Sequence, residues 1–167
     1  MDMSPYLSLI GTLVGGALTL LGTFASQKVL ASKEKRKLIC EKCERIYELC
    51  QRLYDGHFGE VQKLKNSKDD TPVSWIKKRK HPGEYMSELK MLVKMYAPTL
   101  QLHLDTADIS HQQLKQKFRK VDSDFLKNES VWIDREALFD DLGGDLDLLG
   151  IALNDVKLFA TRVVASH

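Results

Sequence analysis

Residues 27–66 read QKVLASKEKRKLICEKCERIYELCQRLYDGHFGEVQKLKN, a run without proline whose apolar positions step by alternating threes and fours. Ile39, Cys43, Ile46, Cys50, Leu53 and His57 form one seam, continued by Val61 and Leu64. A period near 3.5 is the signature of a helix that buries one face against other helices. Gly56 and Gly59 are expected to weaken its second half and to bend it.

Upstream lies PYLSLIGTLVGGALTLLGTFAS, Pro5 to Ser26, without a charged residue. At ~1.5 Å per residue these positions span ~33 Å as a helix, against a hydrocarbon core of about 30 Å. A single transmembrane helix over 5–27 is therefore predicted, with residues 1–4 as a short external N-terminus. A cleavable signal would open on a basic region, whereas MDMSPY carries Asp2 and no Lys or Arg. Lys28, Lys33, Lys35, Arg36 and Lys37 follow the span. The positive-inside rule then places the remainder in the cytoplasm, with a bacterial inner membrane as the expected location.

Within that stretch small residues recur at helical spacing. Gly11 and Gly15 form GxxxG, Thr19 extends the row, and Ser8, Thr12 and Gly16 make a neighbouring one. Close backbone approach along such rows drives helix pairing in lipid, so a homo-oligomer is expected.

Downstream of the seam, NSKDDTPVSWIKKRKHPG breaks the periodicity with Pro72, Pro82 and polar residues, and is predicted as a loop over 67–83. Helices are predicted again from about Glu84 to Ala97, with Tyr85, Leu89, Leu92 and Tyr96 on one face, and from Leu100 to about Lys127. Pro98 either kinks or separates those two. Along the latter, Ala107, His111, Leu114, Phe118, Val121 and Phe125 make a seam. A last helix follows Asp134, a plausible N-cap, with Leu138, Leu142, Leu149, Val156 and Val163 on one seam, flanked by Leu146, Leu153 and Phe159. Such faces can be buried only against each other. The predicted fold class is all-α, a transmembrane helix followed over 28–167 by an antiparallel bundle of three to four helices.

Composition agrees. The 167 residues are 43% apolar, and the 10 Gly and 4 Pro are few, with seven of the glycines in the uncharged stretch and in 143–150. Twenty-five basic against 23 acidic residues leave no global field that commits the chain to nucleic acid. An odd set of three cysteines on one helix does not resemble a secreted disulfide framework and suits a reducing compartment.

Three constellations deserve weighing as ligand sites. Cys40, Cys43, Cys50 and His57 would be spread over ~25 Å of straight helix and cannot converge on one zinc, so the seam cysteines read as core. His103, Asp105, Asp108 and His111 contain one carboxylate-x-x-His element without the second that a two-metal bundle needs, and read as polar helix surface. The run FDDLGGDLDLLG lacks calcium-loop spacing. There, Gly143 and Gly144 are expected to mark either a close-packing face or a break recapped by Asp145. No cofactor and no metal are expected, and no nucleophile motif points to an enzyme.

The sharpest local feature is Trp75 and Ile76 followed by Lys77, Lys78, Arg79 and Lys80. Four adjacent cations beside an aromatic suit an acidic protein face, a phosphate-rich ligand or anionic lipid. The expected function is a single-pass, membrane-anchored helical interaction module that self-associates and recruits a cytoplasmic protein partner. Two alternatives stand beside it. One is a membrane-permeabilising effector of a bacterial defence or prophage system, and the other is nucleic-acid capture at the membrane through the basic loop.

Overall fold

The computed structural model describes residues 4–66, 83–127 and 135–165, with side chains described for 16, 18–65, 83–123 and 137–165. Every described residue except Ala97 is helical and none is in a strand, so the chain is all-α. Four α-helices follow one another: α1 (Ser4–Asn66), α2 (Gly83–Tyr96), α3 (Gln101–Lys127) and α4 (Arg135–Ala165), with a 3-10 turn Pro98–Leu100 before α3.

The chain divides into two compact units, Met1–Cys40 and Glu41–His167. In the first, the described side chains from Leu18 to Leu30 are exposed, among them Leu20, Leu21 and Phe24. Among the described residues no helix is long and apolar enough to cross a membrane. The side chains of 5–15, half of the uncharged stretch, lie outside those described.

The second unit is a four-helix bundle whose order follows from its cross-helix pairs. α1 touches α2 where Arg45 holds Glu88 at 2.8 Å and Lys42 caps the Tyr96 ring. α2 touches α3 where Lys90 meets Asp108 at 2.6 Å. α3 touches α4 twice, with Lys117 on Asp141 and Asp145 and His103 stacked on Phe159 at 3.9 Å. α4 returns to α1, since Lys157 donates to Gln51 Oε1 at 2.7 Å. Residue numbers run in opposite senses between α1 and α2, between α3 and α4 and between α4 and α1, where Gly150 also meets Tyr54, so these neighbours are antiparallel. The order around the bundle is α1, α2, α3, α4, which leaves α1 and α3 facing each other across the diagonal.

The whole α1 seam from Ile39 to Leu64 is buried, and Ile46, Cys50 and Leu53 are fully so. Leu104, Leu114 and Phe118 of α3 and Leu142, Leu149 and Val156 of α4 complete the core. At 25 cal/mol per Å², each such leucine stabilises the bundle by roughly 1.5–3 kcal/mol over leaving it in water.

Several local expectations change. α1 continues unbroken through Gly56 and Gly59, because the residues around them, Leu53, His57, Val61 and Leu64, are held in the core. Pro98 separates two helices instead of kinking one. Ala97 leaves helical geometry at φ −143 and ψ 57, its N–H still bonding Val93 and its carbonyl accepting from Leu100. The buried face of α2 carries Met86 and Val93 beside Leu89 and Leu92, while Tyr85 and Tyr96 sit half-buried at its edges. Both readings of Gly143 and Gly144 fail. α4 runs straight through them, and a Cβ at either would meet nothing within 4 Å. Close approach occurs instead at Gly150, where a Cβ would stand 3.0 Å from Tyr54 Cε2. Asp134 lies outside the described residues.

Candidate functional site

Two features of the bundle combine chemistry with position: a groove along α1 and α4, and a polar pair in the core. Because Gly150 has no side chain, the Tyr54 ring settles against the α4 backbone. The space left beside it, about 530 Å³, is lined by Gln51, Tyr54, Asp147, Ile151, Asn154 and Lys157. Lys157 is fixed there from two sides, by its bond to Gln51 and by the Tyr47 ring 5.0 Å from its Nζ. Tyr54 stacks on Phe58 at 6.2 Å. Ile151 stands 62% exposed at the outer rim. An open trough with one aromatic wall, one cation, one carboxylate and two amide groups offers hydrogen bonds and apolar contact to a ligand surface.

The polar pair is His57 of α1 and His111 of α3. Each ring is 2% exposed, and His57 Nε2 lies 2.9 Å from His111 Nδ1. One ring donates its N–H and the other accepts on its bare nitrogen, the roles depending on tautomer. Phe118 stacks on His57 with rings 9° from parallel. Burial pushes His111 below the ordinary imidazole range, partly opposed by Asp108. The reading of His111 as polar helix surface is thus corrected. Its place on the Ala107-to-Phe125 seam was the signal, and the same spacing had already put His57 on the α1 seam. Nearby on α1, Glu60 is 3% exposed, with Lys63 Nζ 3.9 Å from its Oε1.

The other weighed groups are dispersed. Cys43 and Cys50 are buried and Cys40 is half-buried. Burial raises the Cys50 thiol to about 12. Asp108 pairs with Lys90 and Asp105 accepts from Gln101. His103 packs on Phe159, whose ring also lies 4.7 Å from the Arg162 guanidinium. Among the described residues no three His, Cys, Asp or Glu side chains are grouped to hold a metal ion. In the acidic run, Lys117 bridges Asp141 and Asp145, and both carboxylates raise its ammonium above the ordinary lysine range.

Of the residues singled out for partner binding, Trp75, Lys77, Lys78, Arg79 and Lys80 lie outside the described residues. So do the side chains at Gly11, Thr12 and Gly15. Gly16 and Thr19 are exposed on α1, and a Cβ at Gly16 would meet nothing within 4 Å. Comparison of the chain with protein-family models, curated proteins and solved structures gives no match.

Proposed function

We propose that the chain is a membrane-anchored helical interaction module. Its uncharged N-terminal stretch inserts in lipid and self-associates, and its bundle recruits a protein partner on the cytoplasmic side. The observation that carries this reading is the charge pattern of α1. Pro5 to Ser26 holds no charge, and five Lys and Arg follow within eleven residues. Support also comes from Leu18, Leu20, Leu21 and Phe24, each more than 60% exposed, which calls for an apolar environment around the helix. A four-helix bundle with a trough on one seam gives a surface for a partner.

Topology reporters test the reading. A cytoplasm-active reporter fused after His167 should be active and an export-dependent phosphatase at the same site inactive, with the protein retained in carbonate-washed membranes. Release by carbonate, or an active phosphatase, removes the anchor or reverses its orientation.

A further inference from the structure

From the geometry of the bundle core we infer that the His57–His111 pair is a proton-sensitive latch: mild acid breaks the bond between the two rings and loosens the α1–α3 contact. This inference goes beyond the interaction reading and does not depend on the membrane anchor.

Two neutral imidazoles can share one N–H···N bond, because one ring supplies the proton and the other a lone pair. At 2.9 Å the bond is of normal length. The first proton leaves the N–H···N bond in place and puts one charge in the dry core, and the second puts an N–H on each of the facing nitrogens, so the lone pair vanishes and two positive charges meet. Both losses favour separation. The rings cannot turn to water in place, since each is 2% exposed and Phe118 covers His57.

The surroundings decide whether a proton is tolerated. On α1, Glu60 stands one turn from His57 on the same buried face and offers one counter-charge, itself shared with Lys63. On α3, Asp108 favours a charged His111 while Lys115 opposes it. From α2, Lys90 also opposes it, and Lys90 is bonded to the same Asp108. The inward residues of α2 are Met86, Leu89, Leu92 and Val93, and those of α4 run from Leu142 to Ala160 as Leu, Ala and Val. Among the described residues of α2 and α4, no carboxylate residue is buried. The balance lowers His111 below its model value of 6.5, with burial as the largest cause.

The sign follows from proton counting. Where a buried imidazole resists protonation, the unfolded chain binds more protons below pH 6.5, and stability falls as pH falls through that value. One unit below 6.5, a ring that stays neutral in the folded state shifts the folding equilibrium by up to about tenfold toward the unfolded state. The shift from pH 7.5 to 5.5 is therefore up to about tenfold for His111.

The test uses the full chain in neutral detergent, with urea unfolding at pH 7.5 and 5.5. The wild type should lose about three- to tenfold in its folding equilibrium constant, and His103→Gln should lose as much. A His57→Leu/His111→Leu chain, whose two apolar side chains can fill the site together, should change less than threefold. An unchanged wild type, or a full drop in the double variant, overturns the latch. A second readout needs no variant: ring-nitrogen resonances of the wild-type chain should show His111 titrating below 6.5 when folded and near 6.5 in urea. Titration of folded His111 at or above 6.5 overturns it as well.

Discussion

Cys50 is 0% exposed on the α1 seam, and its thiol is held up at about 12 because a thiolate there would be stripped of water. Lys157 opposes that shift only partly. The folded chain therefore keeps this proton between pH 9 and about 12 while the unfolded chain releases it, so stability falls as pH rises through 9. At pH 10 the contribution is about tenfold in the folding equilibrium. Urea midpoints at pH 8 and 10 measure it, and Cys50→Ala should lose less over that interval than the wild type. Equal losses would assign the alkaline sensitivity elsewhere. At this scale the sequence was legible where one residue type has one use. Seam spacing put Cys43, Cys50 and Leu53 inside, and all three are buried. It was poorly legible for histidine, whose polarity suggests solvent until a second buried histidine supplies its partner. That partner lies 54 residues away, beyond any periodicity within one helix.

Among the elements, α4 carries three glycines with two different surroundings. Gly144 is exposed mid-helix, and a Cβ there meets open space. Alanine at that position should stabilise the chain by about 0.5–1 kcal/mol, the usual difference between glycine and alanine in a helix interior. At Gly150 the same gain is opposed by a 3.0 Å approach to the Tyr54 ring. Gly150→Ala should therefore stabilise clearly less than Gly144→Ala in thermal or urea unfolding, and Tyr54→Ala should restore the difference to it. Equal gains at both sites would mean that the ring moves aside at no cost. Sequence reading offered Gly143 and Gly144 as a close-packing face and missed Gly150, because which glycine faces a neighbour is set by the angle between α4 and α1. The helix corner at Pro98 was legible, since a residue without N–H cannot continue the ladder. Whether it bent or divided the helix depended on Ala97, which carries no such mark.

For the whole molecule, the all-α bundle followed from four amphipathic segments, and its antiparallel order from the pairs that join them. Charge patterning also proposes where a partner binds. Lys77, Lys78, Arg79 and Lys80 repel one another and add nothing to a core, so an acidic partner would neutralise them at little cost. Replacing the four with Gln should leave helicity and membrane retention unchanged and weaken copurification of the partner, with a larger effect at low salt than at high salt. A partner bound equally well by the variant directs attention to the trough between α1 and α4.

The diagonal placement of His57 and His111 also bears on assembly. Seams of apolar side chains tolerate sliding, because one apolar side chain fills the place of the next. A shift of one helical turn, ~5.4 Å, would carry His57 away from His111 and leave two imidazoles buried against hydrocarbon. Since the two rings belong to opposite corners of the bundle, one on the first helical hairpin and one on the second, their buried hydrogen bond favours one register of the two halves, beside the exposed Lys90–Asp108 and Lys157–Gln51 pairs.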